Sequence, residues 1–326
     1  PALTVEILSP LLWSRYAASA GSTTVTAQAV HAAPSPVKAE GMLTVSPSGL
    51  PCWRDVIEPH PDVAQGRYRN AEFAADLAQV SRGEGSFEYR DPLEIFAGTY
   101  VPKRMSGRLK QALKGVSGKD GEPVIQIKAA DGGGKTHSML ALYHHLRGMV
   151  SLDKIPTVRP VLERAGLASL PKVHAAVLVG TALDPRRSKR PQNLPGITIN
   201  TLWGEMAAQL ALSVGDPKLY DFVKEADKKG ISPGSESLKN LFDACGPCLI
   251  LMDELVAYAK RIYGVNGLPA GSFDNFITFI QEITEAARAS RHSPVVASIP
   301  ESDIQVGGEA GKPALEAIEH SFGRME

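Results

Sequence analysis

The segment Val124–His137, VIQIKAADGGGKTH, predicts a β-strand that passes through a glycine-rich turn into an α-helix. Glycines in such a turn let backbone N–H groups converge on phosphate oxygens, and the N-terminus of the new helix favours the same anion. Lys135 adds a mobile cation, and the Thr136 hydroxyl can ligate magnesium. The segment therefore predicts a phosphate-binding loop formed by Gly132, Gly133, Gly134, Lys135 and Thr136.

The match to a full phosphate-loop pattern is partial. The pattern G-x-x-x-x-G-K-T would need glycine at position 129, where this chain has Ala129. A glycine turn followed by a Lys-Thr helix start also arises by chance, so the motif needs a second, independent feature.

The stretch Asp243–Leu255, DACGPCLILMDEL, supplies that feature. Its apolar run CLILM predicts a buried strand that ends at Asp253 and Glu254. Asp253 can hold magnesium through water, and Glu254 can orient and polarise a hydrolytic water. The alternative is that both carboxylates simply begin a helix, where acidic residues are favoured.

The same stretch contains Cys-Gly-Pro-Cys, the tetrapeptide of thioredoxin-type dithiols. In that fold the motif opens a helix, which lowers the pKa of the first thiol. Here the order is reversed, because a helix ends near Ala244 and Cys248 begins a strand. This order disfavours a redox role, and a lone pair of cysteines is equally poor as a zinc site.

Short apolar strands alternate with helices along the chain, which predicts an α/β fold with a parallel sheet covered on both faces. The predicted strands are VIQIK, HAAVLVG, CLILM and PVVASI. We interpret residues 121–326 as this core and residues 42–120 as a mainly helical entry region. Residues 1–41 are expected to be a disordered leader or non-native sequence upstream of a start at Met42.

Composition restricts the function classes. With 326 residues, 43% of them hydrophobic, the chain can bury a real core, which excludes disorder throughout. Its formal net charge of zero creates no global attraction to nucleic acid or to anionic lipid. Three cysteines are too few for a secreted disulfide scaffold, and no apolar run approaches the roughly 20 residues of a membrane span. We expect a soluble, cytoplasmic protein with no membrane partner.

Several long segments together resemble the large bacterial and archaeal ATPases catalogued as domain of unknown function 499, which are related to AAA+ enzymes. The segments, in chain order, are WRDVIEPHPDVAQGRYRNAEFAADLAQV, GGGKTHSMLALYH, GITINTLWGEMAAQL and ILMDELVAYAK. The resemblance covers about Leu50 to Glu326. It implies a P-loop NTPase of AAA+-like fold that binds ATP and Mg²⁺ and hydrolyses ATP.

By position, the resemblance assigns the ATP work to Lys135, Thr136, Asp253 and Glu254. It also implies an association with phage-defence or DNA-modification systems, in which hydrolysis would drive conformational change or assembly with protein partners. The alternative is a nucleotide-gated switch or scaffold with little turnover. Asp131 departs from the bulky apolar residue expected before the glycines, and its charge would oppose a triphosphate unless it points away.

Lesser candidates follow the same logic. Ser298 ends the predicted fourth strand. In an AAA+ arrangement this strand lies beside the phosphate loop and supplies a polar residue that senses the terminal phosphate. The alternative is an ordinary serine at the end of a strand. Arg324 would reach a neighbour's nucleotide in a homo-oligomer of the full-length protein, or else is a solvated surface arginine. His137 is the candidate near the phosphates on the next helix, whereas His144 and His145 are interpreted as helix-face residues.

The basic run Arg186, Arg187, Lys189 and Arg190 follows the second strand. Such a run can contact DNA, but it is more often a solvated loop. An AAA+ module would continue beyond Glu326 into a helical lid, so we expect the chain to be a fragment of a longer protein.

Overall fold

The computed structural model describes residues 75–97, 103–129, 134–146, 159–169, 171–301 and 307–323. These residues belong to one unit, Ala75–Ala97 with Val101–Glu326. The predicted leader, Asp131, Gly132, Gly133 and Arg324 lie outside the described residues.

Four parallel strands form one sheet, in the order β1-β4-β3-β2. The strands are β1 Val124–Ala129, β2 His174–Val179, β3 Cys248–Asp253 and β4 Val295–Pro300. The predicted α/β fold with a parallel sheet is therefore confirmed.

Helices precede, connect and follow these strands. Before β2 they are α1 Leu77–Ser81, α2 Phe87–Arg90, α3 Pro92–Ala97, α4 Lys103–Val116, α5 Lys135–Leu146 and α6 Arg159–Ala165. After β2 they are α7 Leu202–Val214, α8 Lys224–Lys229, α9 Ser235–Cys245, α10 Leu255–Ile262, α11 Phe273–Ala289 and α12 Gly311–Gly323.

Each face of the sheet packs against its own set of helices. Alternate strand residues point to opposite faces, so one apolar run supplies two cores. One core joins Ile250, Met252 and Ala297 to α7, α9, α11 and α12. The other joins Ile127, Leu251 and others to helices that include α4 and α5, and we call this side the α5 face.

Helix α5 starts a few residues after β1 and packs against β1, β3 and β4. Its residues from Met139 to Leu146 are buried. Because α5 follows a strand of a parallel sheet, its N-terminus lies at the edge where the strands end, which is where α/β proteins bind ligands.

One predicted helix differs in the structure. The sequence predicts a single helix over residues 217–227, but a 3₁₀ helix, Pro217–Phe222, is separated from α8 by a non-helical Val223 with φ −120° and ψ −4°. In a straight helix, Tyr220 and Asp227 would lie about 10 Å apart along the axis. The break accompanies a 2.6 Å hydrogen bond from the Tyr220 hydroxyl to the buried Asp227 carboxylate, a contact that local periodicity does not reveal.

His145 is a buried histidine on α5. Its Nδ1 lies 2.7 Å from the Ala141 carbonyl oxygen, and its ring lies edge-on to Phe96 at 4.2 Å between centroids. Burial lowers the pKa of His145 from its usual 6.5 to about 4. The folded state therefore favours the neutral ring.

We expect acid to destabilise the fold through His145. Its folded pKa is lower than its unfolded pKa, so the unfolded state binds more protons, and stability falls as pH drops from about 6.5 through about 4. The loss is on the order of 3 kcal/mol at the acid limit. Urea unfolding at pH 7 and at pH 4.5 should show a smaller loss for His145→Leu than for the wild type. Equal losses in the two proteins would contradict this assignment.

Candidate functional site

Asp253, the last residue of β3, is the centre of a polar cluster at the carboxyl edge of the sheet. The residue is only 2% exposed. The Thr136 hydroxyl donates a hydrogen bond to Asp253 Oδ2 at 3.1 Å, and the Ser298 hydroxyl donates to Oδ1. The Glu254 backbone N–H also donates to Oδ1, at 3.1 Å. Three donors from α5, β4 and the start of α10 therefore satisfy one buried carboxylate.

Strand register explains why these residues meet. Strand β4 lies between β1 and β3, and Ser298 is paired with Ile127 of β1. Asp253 continues the row of Leu249 and Leu251 on the α5 face, because strand residues two apart share a face. The apolar row thus ends in a carboxylate at the place where α5 begins.

The described part of the predicted phosphate loop begins at Gly134. This glycine has φ +75°, a conformation that side-chain-bearing residues rarely adopt, so glycine suits the entry to α5. The ammonium of Lys135 donates a 2.8 Å hydrogen bond to the Ala129 carbonyl at the end of β1. Lys135 therefore spans the base of the loop.

His137 lies in the first turn of α5 and is half-buried. Its ring is edge-on to Tyr89, with 6.4 Å between centroids. Burial lowers the pKa of His137, which favours the neutral ring. His137 lies in the same helical turn as Lys135 and Thr136. Its contact with phosphate remains a prediction.

Glu254 differs from its neighbour Asp253 in both environment and backbone. Glu254 is exposed, and it adopts φ 55° and ψ 33°, the left-handed helical conformation. Among the described residues it is the one non-glycine with positive φ. That conformation costs roughly 1–2 kcal/mol for a residue with a Cβ, and such strain tends to occur at functional sites.

The cysteine pair has the structure that the sequence predicts. Cys245 ends α9 and Cys248 begins β3, and both are buried free thiols. Burial raises the pKa of the Cys245 thiol and raises that of Cys248 to about 12. Thiolate chemistry is therefore strongly disfavoured at neutral pH.

The basic run after β2 is partly neutralised by two acidic neighbours, Asp184 and Glu205. Arg186 and Arg187 pair with Asp184 at 2.9 Å and 3.7 Å, and Lys189 pairs with Glu205 at 3.0 Å. The hydrogen bond from Arg186 holds the pKa of Asp184 at about 2. Charge pairing within the loop leaves less net positive potential than the sequence alone suggests, which weakens the case for phosphate-backbone binding there.

The oxygen atoms of the cluster fit magnesium that is shared with a phosphate ligand. The described residues contain no group of three or more His, Cys, Asp and Glu side chains able to form a protein-only metal site. Magnesium, however, is commonly held by one or two protein oxygens together with phosphates and waters. Thr136 Oγ1 and Asp253 Oδ2, which lie 3.1 Å apart, are protein oxygens of this kind.

Two residues beside this site, Gly180 and Arg261, are not part of any motif in the sequence. Gly180 directly follows β2, and its backbone lies against the Glu254 carbonyl. Arg261, on α10, donates a hydrogen bond to the Gly180 carbonyl oxygen. The signal for Gly180 is its position one step beyond the Val179–Asp253 pair, which becomes visible only when the register is known.

Fold and site together define an α/β protein whose parallel sheet gathers polar side chains at its carboxyl edge, beside a helix N-terminus. The chain belongs to the DUF499 family, because the model of the DUF499 N-terminal domain matches residues 55–318. No match was found among curated proteins or among solved structures. Within the described ranges, every helix is too short or too polar to cross a membrane.

The stability of substitutions at Glu254 tests its left-handed backbone conformation independently of function. Replacing Glu254 by glycine removes the Cβ that opposes positive φ, whereas alanine keeps it. We expect Glu254→Gly to be more stable to urea than Glu254→Ala by about 1 kcal/mol, although glycine is normally the less stabilising residue. Alanine as the more stable variant would show that the left-handed conformation is absent in solution.

Proposed function

We propose that the chain binds ATP with magnesium and hydrolyses it, and that hydrolysis drives a conformational or assembly change. The observation that carries the proposal is the set of hydrogen bonds from Thr136 and Ser298 to the buried Asp253. These bonds bring together the helix that follows a glycine turn, the end of β3 and the neighbouring β4. Phosphate loops and their magnesium-binding carboxylates are arranged in this way. Ser298 lies two residues before Pro300, the last residue of β4, and so does not end the strand as the sequence predicts.

The strand order supports the same proposal. Strand β4, which carries Ser298, lies between the strand that leads to the glycine turn and the strand that ends in Asp253. This is the position expected of the fourth strand in an AAA+-like sheet. It adds to the local motif a feature that chance occurrence of Gly-Lys-Thr would not produce.

Each residue has a distinct proposed role. The amides of the glycine turn and the Lys135 ammonium bind the β- and γ-phosphates, so Lys135 exchanges the Ala129 carbonyl for phosphate oxygens. Thr136 would ligate magnesium directly and Asp253 would hold one of its waters. When bound, the ion supplies positive charge that stabilises the transferring phosphoryl group.

Glu254 is proposed as the residue that orients the attacking water. Its side chain is exposed whereas that of Asp253 is buried, so its carboxylate need not share the metal-holding role. The Ser298 hydroxyl donates a hydrogen bond to Asp253. Its Oγ also lies 3.4 Å from the Glu254 amide nitrogen, which donates to it. A terminal phosphate that attracts the Ser298 hydroxyl would therefore also be sensed by Asp253 and Glu254.

The wider setting is proposed on the family resemblance. Arg324, outside the described residues, is proposed to reach the nucleotide of a neighbouring copy in the full-length protein. Participation in a phage-defence or DNA-modification complex, in the cytoplasm, is proposed on the same ground.

Lys135→Ala should abolish ATP binding. At an ATP concentration 100 times the Kd, binding stabilises a folded protein by about 2.7 kcal/mol, which raises its Tm. We expect a magnesium-dependent ATP shift in Tm for the wild type and none for Lys135→Ala. Lys128→Ala is the matched control, because Lys128 lies on β1 but pairs with Glu319 at 3.0 Å. Equal shifts in wild type and Lys135→Ala would refute the assignment.

Glu254→Gln should preserve ATP binding and slow hydrolysis by at least about 100-fold, because the amide cannot accept a proton from water. Steady-state phosphate release at saturating ATP measures this effect. A wild type already as slow as Glu254→Gln would instead support a nucleotide-gated switch.

Replacing Cys245 by serine and Cys248 by alanine should leave ATP binding nearly unchanged.

A further inference from the structure

Gly180 occupies a position where a side chain has no room. A Cβ built on Gly180 would lie 2.0 Å from the Glu254 carbonyl oxygen and 2.8 Å from its carbonyl carbon. Gly180 is not among the described glycines with positive φ. The position therefore requires the absence of a side chain rather than a special backbone conformation.

The contact follows from the sheet. Val179 of β2 is paired with Asp253 of β3, so Gly180 faces Glu254 one step further along. At this step the β3 chain leaves the sheet through the left-handed conformation of Glu254. The turn brings the Glu254 carbonyl towards β2, and only glycine accommodates it there.

Arg261 also contacts Gly180, through its carbonyl oxygen. Its guanidinium donates to the Gly180 carbonyl oxygen, and its Nε donates to the Ala257 carbonyl oxygen at 3.3 Å. The guanidinium carbon also lies 5.8 Å from the centre of the Tyr258 ring. Arg261 therefore connects the last turn of α10 to Gly180, the residue after β2. Gly180 in turn lies against Glu254, which caps the N-terminus of the same helix.

The Glu254 carbonyl is also the acceptor that starts α10. It accepts hydrogen bonds from the amides of Ala257 at 3.1 Å and Tyr258 at 3.4 Å. If this carbonyl is displaced, the first turn of α10 loosens and the Glu254 Cα, with its carboxylate, shifts as well. Because the left-handed conformation is intrinsically unfavourable, it depends on such surrounding contacts.

We propose that Gly180 and Arg261 are positioning residues for Glu254, fixing its backbone so that its carboxylate is aimed at the attacking water. The inference rests on the proposed ATP hydrolysis. Gly180→Ala should lower kcat on the order of 100-fold, since a displacement of about 1 Å at a catalytic group can cost that much. ATP affinity should change little, because the atoms nearest to the added Cβ belong to Glu254 and Tyr258 rather than to Lys135 or Thr136.

The control is Gly204→Ala on α7. There the added Cβ would meet Asp227 Oδ1 at 2.0 Å, the same distance as the intrusion at Gly180. Both substitutions should lower the Tm, but only Gly180→Ala should lower kcat selectively. Arg261→Ala adds no atoms, so it serves as a second variant if Gly180→Ala does not fold, and it should lower kcat in the same direction. Equal kcat losses in Gly180→Ala and Gly204→Ala would overturn the proposal.

Hydrogen–deuterium exchange separates this inference from the proposed function. Amides of Ala257 and Tyr258 should exchange faster in Gly180→Ala and Arg261→Ala than in wild type, and not in Gly204→Ala. Faster exchange with wild-type kcat would show a structural contact only and would overturn the positioning role. Unchanged exchange would overturn the contact itself. A wild type without Lys135-dependent ATP binding would refute the proposed function, whatever the exchange shows.

Discussion

The burial of the Asp253 carboxylate constrains the rest of the site. A buried carboxylate costs several kcal/mol unless hydrogen bonds compensate it. Here the compensating donors are the Thr136 hydroxyl, the Ser298 hydroxyl and the Glu254 amide. Since these donors come from α5, β4 and the start of α10, satisfying one side chain fixes three segments relative to one another. Loss of any donor would leave an uncompensated lone pair in the core, which links the stability of the fold to the geometry of the site.

Two adjacent carboxylates have opposite environments because the chain changes conformation between them. Asp253 keeps the strand's alternation and therefore lies on the buried α5 face. Glu254 takes a left-handed conformation and becomes exposed. Without that turn, alternation would direct Glu254 to the opposite face of the sheet. The separation allows one carboxylate to be desolvated and hydrogen-bonded while the next remains accessible to water.

Much of this arrangement was predictable from local sequence. The strand before the glycine turn, the helix that begins at Lys135 and the strand that ends at Asp253 all follow from apolar runs and their boundaries. The parallel sheet follows from the alternation of strands and helices. The pairing of two basic residues with one carboxylate also had a local signal, since Asp184 precedes Arg186 and Arg187 by two and three positions.

The rest depended on contacts between distant segments. The left-handed conformation of Glu254 has no signature in the sequence, because glutamate is not a residue that favours it. The need for glycine at position 180 depends on the pairing of β2 with β3, which a single sequence does not specify. The break at Val223 accompanies a hydrogen bond from Tyr220 to the buried Asp227 carboxylate, which helical periodicity does not reveal. Periodicity describes which face of an element is apolar, but not which atoms on two elements will meet.

The departure at Ala129 has less effect on Lys135 than the motif alone suggests. The Lys135 ammonium bonds the backbone carbonyl of Ala129, which any residue at that position would present. A methyl group in place of hydrogen therefore leaves this interaction intact. A phosphate bound as proposed would replace one charge-assisted hydrogen bond of Lys135 with another, so the gain in affinity from Lys135 would be the difference between the two bonds. Phosphate carries a full negative charge whereas a carbonyl carries only a dipole, and that difference favours the phosphate at close range.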